Sequence, residues 1–236
     1  MSRIRPSCVV LLGAPGVGKG TYASMLSRWL GYEHISTGDA IRQKIRDKEP
    51  QFELYKQYVD NGELLPDSVV IPLLSSMICN KKAVLLDGFP RQLSQVAEVD
   101  RLTDVKSVLL LKLRREILIE KVIKRRICPQ CSRSYNLADI KYGTMRMPPL
   151  SPNVPGVCDD CGSALVQRQD DTVEVVNKRL REFDRISQPV IDFFEERGLL
   201  TSFEIMGGKE DTWPALQDLF RKAGFTPEVP GQHFKL

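Results

Sequence analysis

A glycine-rich segment directly after an apolar run offers the clearest chemistry. Residues 13–21 read GAPGVGKGT and follow the run CVVLL at 8–12. Glycines in such a loop let consecutive backbone N–H groups turn inward and cradle phosphate oxygens. The helix predicted over 19–30 adds the positive end of its dipole, and Lys19 adds a full positive charge. The segment therefore predicts a phosphate-binding loop, with a ligand-free glycine turn as the alternative.

Two C-x-x-C pairs form a second group, Cys128 with Cys131 and Cys158 with Cys161. Four thiolates are the ligand set of a tetrahedral structural Zn²⁺ site, and four ligands leave no open catalytic position. The 26 residues between the pairs exceed the usual spacing of zinc ribbons. Another tetrahedral ion, disulfides or an empty site remain alternatives. The two other cysteines, Cys8 and Cys79, are expected to be buried small hydrophobic residues.

Asp87 follows the apolar run 83–86 and is a candidate for holding Mg²⁺ through water. A carboxylate at the carboxyl end of a parallel strand faces the ligand crevice, although it could also cap a helix. The residue after Lys19 is Gly20, and the hydroxyl comes one place later, at Thr21. A direct hydroxyl–Mg²⁺ bond is therefore in doubt, and we expect phosphates, water and the distant carboxylate to hold the metal.

Strand-like and helix-like patterns alternate along the chain, which predicts an α/β fold with a parallel sheet and crossover helices. The predicted strands are 8–12, 83–86, 105–113 and 200–205, and the predicted helices are 19–30, 66–80, 92–102 and a long one over 171–197 kinked at Pro189. The segment 127–168 interrupts this alternation and reads as an inserted small domain. Its Pro/Gly/Ser-rich stretch 143–156 is expected to lack regular structure. The predicted organisation is a core of 1–126 and 169–225, the insert 127–168, and a tail 226–236.

Composition excludes several classes of protein. The 236 residues are 42% hydrophobic and 27% charged with a net charge of +4, which argues against extended disorder and gives no charge-based reason for a polyanionic partner. No apolar run approaches the ~18 residues of a membrane span. The start, MSRIRPS, is short for a transit peptide, so the cytoplasm is the default location, with an organelle such as the mitochondrion left open.

Four motifs in order resemble adenylate kinase: GAPGVGKGT at 13–21, STGD at 36–39, DGFPR at 87–91 and QRQDD at 167–171. The likeness spans about 8–220, and the cysteine insert resembles the zinc-bearing lid of the family's long form. The resemblance implies a reversible, Mg²⁺-dependent, in-line phosphoryl transfer, ATP + AMP ⇌ 2 ADP. It also implies a P-loop core whose acceptor-binding segment covers about 36–66, and we expect a monomer.

The resemblance assigns roles by position. The catalytic residues would be Lys19, Arg91, Arg125, Arg168 and Arg179. The ATP site would be formed by Gly16, Val17, Gly18, Lys19, Gly20, Thr21, Arg125, Ser134 and Tyr135. The AMP site would be formed by Thr37, Arg42, Glu63, Leu64, Leu65, Gly88, Arg91, Gln95, Arg168 and Arg179, with Gln95 reading the base. The two histidines, His34 and His233, receive no role.

Some residues depart from the family pattern and keep alternatives open. Lys121 stands where the family usually has an arginine that packs on the donor base, and Lys124 replaces a hinge glycine. A GTP:AMP phosphotransferase of the same fold is therefore the nearest alternative; a UMP/CMP kinase is disfavoured by the long lid. A P-loop protein with a nucleic-acid-binding zinc module is the alternative from another class, because residues 112–126 are basic. The chain has no N-K-x-D motif of a switch GTPase. The insert should also carry an extra loop around 145–155.

Overall fold

The computed structural model describes residues 5–228 and is built on a five-stranded parallel sheet. The strands are β1 (Ser7–Gly13), β2 (Glu33–Ser36), β3 (Ala83–Asp87), β4 (Asp104–Lys112) and β9 (Leu200–Glu204). Their order across the sheet is β2-β3-β1-β4-β9. The predicted α/β class with a parallel sheet is confirmed, and each predicted strand lies within one or two residues of an observed one.

Register places the chemistry at one edge of the sheet. Leu11 in β1 and Ser36 in β2 both pair with Asp87 in β3, so the phosphate loop, the STGD segment and Asp87 follow neighbouring strand ends. The central strands are buried on both faces, as parallel strands covered by helices must be. β2 was not predicted from the sequence, because EHIS has no apolar run; its pairing to β3 makes it a strand.

Helices cover both faces of the sheet. Their bounds are α1 (Lys19–Leu30), α2 (Thr37–Arg46), α3 (Pro50–Glu53), α4 (Lys56–Asp60), α5 (Asp67–Ile78), α6 (Val96–Leu102), α7 (Arg115–Ile123), α8 (Val173–Ile186), α9 (Gln188–Glu196) and α10 (Lys209–Lys222), with a short 3₁₀ turn over Leu93–Gln95. α1 matches its prediction in full. The apolar faces of the helices pack on the two sides of the sheet in separate clusters.

The single kinked helix predicted over 171–197 is wrong. α8 begins after Thr172, whose side chain accepts a hydrogen bond from the Val175 N–H, and ends before Ser187. α9 starts at Gln188 with Pro189 in its first turn, where proline is tolerated because its missing N–H would have no helical partner. Pro189 therefore starts a second helix instead of bending a long one.

Two small antiparallel sheets are formed by the inserted segment and the two residues that precede it. β5 (Arg125–Ile127) pairs with β6 (Ser134–Asn136), and β7 (Ile140–Tyr142) pairs with β8 (Met145–Met147). The expectation that 143–156 lacks regular structure is thus wrong at β8. Met145 and Met147 are buried, and both belong to the cluster that covers one face of the main sheet. Their apolar side chains turn what composition marked as loop into a packed hairpin.

The prediction that both Cys8 and Cys79 are buried is confirmed for one residue and wrong for the other. Cys8 is buried as predicted, but Cys79 is exposed, because it lies just after the last turn of α5. The predicted tail begins in contact with the core, since the Glu228 N–H donates to the Trp29 carbonyl at 3.1 Å. The rest of the tail with His233, and residues 1–4, lie outside the described residues. Within residues 5–228, no helix is long and apolar enough to cross a membrane.

Candidate active site

The phosphate loop joins β1 to α1 and includes positions whose backbone conformation favours glycine. Gly16 and Gly18 have φ of 88° and 103°, a region that L side chains rarely adopt. A Cβ on Gly16 would lie 2.6 Å from the Leu118 carbonyl oxygen, so α7 packs directly against the loop. Lys19 folds back over it and donates to the carbonyls of Gly13 at 2.6 Å and Ala14 at 3.2 Å. Gly16 and Gly18 thus adopt the positive-φ conformations that a tight glycine loop requires, and the binding of an anion there stays a prediction.

The surroundings of the Lys19 ammonium disfavour its positive charge. Burial lowers its pKa to about 8, while the nearby Asp87 carboxylate raises it and the guanidinium groups of Arg91, Arg179 and Arg125 lower it. A buried cation beside other cations needs a compensating negative charge. A bound phosphate would supply that charge.

Asp87 lies at the end of β3 with its carboxylate buried at the same edge. Its Oδ2 is 3.6 Å from Nε2 of His34, a residue to which the sequence gave no role. A Cβ on Gly20 would lie 3.8 Å from the same oxygen, which places the start of α1 beside it. A carboxylate oxygen at the mouth of a phosphate site is a donor that suits Mg²⁺, so Asp87 fits the metal role predicted for it.

Five arginines line the cleft around the loop: Arg42, Arg91, Arg125, Arg168 and Arg179. They come from distant parts of the chain; three of them donate hydrogen bonds to carboxylates, and Arg42 lies 3.8 Å from Asp39 Oδ1 in a looser ion pair. Arg125 forms a two-pronged hydrogen-bonded ion pair with the buried Asp171. Arg168 donates to Asp39 Oδ1 at 2.7 Å, and Arg179 donates to Asp170 Oδ2 at 2.8 Å. All five are therefore brought together as predicted.

These carboxylates hold the arginines without neutralising the cleft. Burial lowers the pKa of Arg168 to about 9 and that of Arg179 to about 10, and neighbouring guanidinium groups contribute. Burial raises the pKa of Asp39, but Arg168 and Arg42 outweigh it, so the net pKa of that carboxyl is below its ordinary value. Arg42 Nε and Arg168 Nε are buried without a hydrogen-bond partner among the described residues. The cleft therefore retains unmet donors that an oxyanion would satisfy.

A second pocket adjoins the cleft on the side of α2. Thr37, Leu64, Leu65, Gly88 and Gln95 line it, and Glu63 lines it while also accepting from Lys178 Nζ at 2.7 Å. Thr37 Oγ1 donates to the Gly88 carbonyl at 3.2 Å. Arg42, Arg91 and Arg179 line it too, so the structure gathers in this pocket all the residues predicted for AMP except Arg168, which lines only the adjoining cleft.

The amide of Gln95 is fixed in this pocket by a residue that sequence reasoning missed. Its Nε2 donates to Asp67 Oδ1 at 2.7 Å, and its Oε1 accepts from the Arg91 N–H at 2.8 Å. The Gln95 side chain is buried, not a surface glutamine, and one amide hydrogen and one carbonyl lone pair remain for a ligand. No sequence spacing links Asp67 to Gln95, since they lie 28 positions apart.

The cleft is also lined by residues that no sequence motif marked. Lys121 and Asn136 line it, with Met147 and Pro148 from the insert, Gly207 and Gly208 from the turn before α10, and Lys209 from the start of α10. A Cβ on Gly208 would lie 3.0 Å from Pro148 Cδ, so the insert touches that turn. Sequence reasoning missed Met147, Pro148 and this glycine turn, because they belong to no predicted motif.

Ser134 and Tyr135, predicted to touch the donor, line the same cleft. The Tyr135 side chain is buried, and its hydroxyl donates to Cys158 Sγ at 3.5 Å while accepting from the Asp159 N–H at 2.8 Å. The hydroxyl of Tyr135 therefore supports the cysteine cluster. Tyr135 lines the cleft together with its chain neighbours Ser134 and Asn136.

The four predicted cysteines converge in the insert. All four Sγ atoms lie within 4.8 Å of one another, with Cys128 to Cys161 at 3.4 Å and Cys131 to Cys158 at 3.5 Å. A tetrahedral site with metal–sulfur bonds of about 2.3 Å has sulfur–sulfur edges of about 3.8 Å, so the thiols fit such an ion. The Cys131 N–H is directed at Cys128 Sγ at 3.5 Å, the kind of hydrogen bond that supports a bound thiolate.

A phosphate-binding loop on a parallel sheet, an arginine cluster and two adjoining pockets define a P-loop nucleoside monophosphate kinase. The adenylate kinase family model matches residues 11–199. The chain is 43% identical over 216 residues to a rice protein named probable adenylate kinase 1, chloroplastic, covering 88% of this chain and 73% of the rice protein. It is 39% identical over 221 residues to the adenylate kinase of Clostridium beijerinckii, covering 90% of this chain and 94% of the Clostridium protein. The chain belongs to the adenylate kinase family.

Proposed function

We propose that this chain catalyses ATP + AMP ⇌ 2 ADP, with the residues of the cleft in the roles given below. The observation that carries this proposal is a shared wall, that is, a set of residues that lines both the cleft and the second pocket. Gly38, Arg42, Gly88, Arg91 and Arg179 line both the cleft around the phosphate loop and the second pocket. Two nucleotides bound in these sites would meet with their phosphates at the same cations. That arrangement suits direct transfer between them, and it favours the kinase over the nucleic-acid-binding alternative.

The donor's phosphates would lie in the loop 13–21, with Lys19 and the loop N–H groups as donors. The amides of Gly16, Val17, Gly18, Gly20 and Thr21 and the guanidinium of Arg125 would complete this contact. Arg42 and Arg91 would hold the AMP phosphate, and Arg168 and Arg179 would contact the transferred group. Such a transfer depends on positioning and on positive charge around the equatorial oxygens, because little covalent chemistry is required of the protein.

Mg²⁺, when bound with the nucleotide, neutralises part of the developing charge. Asp87 would hold it through water. In the acceptor pocket, Gln95 would present one N–H and one carbonyl oxygen to the base, a pattern that matches the Watson–Crick edge of adenine. Thr37, Glu63, Leu64, Leu65 and Gly88 would surround the nucleoside.

The insert 127–168 would act as a lid over the donor, joined to the core 1–126 and 169–225. Zn²⁺ bound by its four cysteines would have a structural role, since four thiolates complete the coordination of the metal. Closure would exclude water and so limit hydrolysis while AMP is absent. The segment 36–66 would serve as the acceptor-binding part. A monomer and a cytoplasmic location stay predictions, and several plant relatives are named as chloroplastic.

A coupled assay of ADP formation tests the proposal. ATP with AMP and Mg²⁺ should give turnover, and omitting either AMP or Mg²⁺ should remove nearly all of it. Replacing AMP by GMP, CMP or UMP should reduce turnover by at least about tenfold, since the second pocket offers its Gln95 amide to adenine. No transfer to any monophosphate would overturn the proposal.

A further inference from the structure

The carboxylate of Asp67, the first residue of α5, accepts hydrogen bonds from three side chains of one short segment. Its Oδ1 accepts from Gln95 Nε2 at 2.7 Å and from Gln92 Nε2 at 3.0 Å, and its Oδ2 accepts from Ser94 Oγ at 2.9 Å. Burial raises the pKa of Asp67, but these hydrogen bonds outweigh it, so the net pKa is below its ordinary value. The side chain is therefore ionised at neutral pH and can only accept.

The Gln95 amide lies between two groups of opposite hydrogen-bonding type. Asp67 Oδ1 is an acceptor beside Nε2, and the Arg91 backbone N–H is a donor that lies 2.8 Å from Oε1. Turning the amide over would place its oxygen against the carboxylate and its NH₂ group against the Arg91 N–H, so both hydrogen bonds would be lost. Such a loss is costly for a buried side chain, and Gln95 is buried. The amide therefore presents its remaining N–H and carbonyl oxygen in one order only.

That order decides which purine edge the amide matches. On its Watson–Crick edge adenine presents the N6 amino donor beside the N1 acceptor, whereas a 6-oxopurine presents the O6 acceptor beside the N1–H donor. A glutamine amide that turned freely could pair with either edge, because turning it over exchanges its donor and its acceptor. Gln95 by itself does not distinguish the two bases, so the distinction depends on the groups that stop its amide from turning.

Of the two groups that hold the amide, only Asp67 does so with a side chain. The Arg91 N–H belongs to the backbone and would be present with almost any residue at that position. Asp67 is not among the described residues that line the second pocket, so its effect on a bound base would pass through Gln95.

We infer that Asp67 is a positioning residue that sets the choice of acceptor base: by fixing the Gln95 amide, it selects AMP over the 6-oxopurine nucleotides IMP and GMP. The inference rests on the proposed function and names the side chain that would set its acceptor specificity.

Steady-state kinetics with ATP as donor test the inference, comparing AMP and IMP as acceptors in wild type and in Asp67→Ala. IMP is the probe because it has the 6-oxopurine edge without the 2-amino group of GMP. Without the carboxylate the amide can turn over, so the AMP/IMP ratio of kcat/KM should fall by about tenfold, with the loss for AMP in KM and not in kcat. General damage to the fold would lower both values together and leave their ratio unchanged. Equal losses for AMP and IMP, or an unchanged ratio, would overturn the inference.

A double-mutant cycle shows whether Asp67 acts through Gln95. In Gln95→Ala the amide is absent, so adding Asp67→Ala should leave the AMP/IMP ratio within about twofold of the Gln95→Ala value. A further large fall in the double variant would mean that Asp67 acts independently of Gln95 and would contradict the inference. Ser94→Ala is the matched control, because it removes the donor to Oδ2 and leaves the hydrogen bond between Oδ1 and Gln95; its ratio should stay at the wild-type value.

Asp67→Asn keeps the size of the side chain and one acceptor oxygen, so it provides the test if Asp67→Ala does not fold. Its AMP/IMP ratio should lie below that of wild type, because the asparagine amide can also donate to a Gln95 amide that has turned over. A wild-type ratio in a folded Asp67→Asn variant would overturn the inference. A wild-type enzyme without turnover on ATP and AMP would overturn the proposed function as well, whereas an active wild type with unchanged ratios in the Asp67 variants would overturn the inference alone.

Discussion

Arg168 and Asp39, 129 positions apart in the chain, form a hydrogen-bonded ion pair of 2.7 Å across the mouth of the cleft. Arg168 comes from the segment that closes the insert, and Asp39 from the first turn of α2. The pair therefore links the end of the proposed lid to the acceptor side of the cleft. An incoming phosphate meets an arginine that is already positioned, and it must share or displace a carboxylate to reach it.

Removing this carboxylate should destabilise the protein. Asp39→Asn leaves the partly buried Arg168 and Arg42 without their counter-charge, at an expected cost of about 1–2 kcal/mol in the free energy of unfolding, below the 3–5 kcal/mol of a fully buried pair. Urea unfolding measures it. Asp218→Asn removes the carboxylate of an exposed pair with Arg221 and should change the free energy by less than about 0.5 kcal/mol. Equal midpoints for both variants would contradict the stabilising role of Asp39.

The same pair predicts a pH dependence. The pKa of Asp39 is below its ordinary value of 3.8 in the folded protein, so its ionisation favours folding. That contribution is fully present above 3.8 and is lost as the pH falls through the folded pKa. The stability difference between wild type and Asp39→Asn should be constant from pH 7 to about pH 5 and shrink below 3.8. A difference that grew on acidification would have the wrong sign.

Replacing Lys19 by methionine should separate activity from stability. The substitution removes the full positive charge of the phosphate loop, so kcat/KM for ATP should fall by at least about 10²-fold. Because burial disfavours the charged form of Lys19, its loss should leave the free energy of unfolding unchanged or raise it. Kinetics and thermal melting measure the two effects. Near-normal turnover in a folded variant would exclude Lys19 from the donor site.

Gln95→Ala should weaken the choice of acceptor. Its amide lies in the second pocket and keeps one N–H and one carbonyl lone pair for the base, so KM for AMP should rise by about tenfold, and the preference for AMP over GMP should fall. Ser94→Ala is the matched control, because the Ser94 hydroxyl also donates to Asp67, at 2.9 Å, but lies outside the pocket. If Ser94→Ala had the same effect, the support of Asp67 and not base contact would explain it.

Cys158→Ser should remove the metal from the insert. We expect wild type to hold one Zn²⁺ per chain by metal analysis, and the variant to lose most of it together with several degrees of melting temperature. Cys79→Ser, outside the cluster, should keep full metal content. Stoichiometric zinc in Cys158→Ser would contradict a four-thiolate site.

Local sequence signals predicted the parts of the fold that depend on local physics. The run CVVLL, the loop glycines and the C-x-x-C pairs each require their structure within a few residues. The elements that were missed depend on distant contacts. β2 exists because β3 pairs with it, and β8 because Met145 and Met147 meet the main core.

Some residues of the candidate site could be predicted from local motifs, and others could not because they meet only in the folded chain. The arginines could be found from motifs, whereas Asp67 beside Gln95 and His34 beside Asp87 are products of folding that no spacing reveals. The long helix over 171–197 was predicted because its apolar spacing continues through Ser187. The proline in the first turn of α9 marked the start of a new helix, and periodicity alone does not distinguish the two.

The central claim is that a phosphoryl group passes directly between two nucleotides that meet at a shared arginine wall. Incubation with γ-labelled ATP tests it, by following the label in ADP and in orthophosphate with and without AMP. The account predicts label in ADP at one equivalent per AMP consumed, with little orthophosphate. Label that accumulates in orthophosphate at the same rate whether AMP is present or not would contradict it.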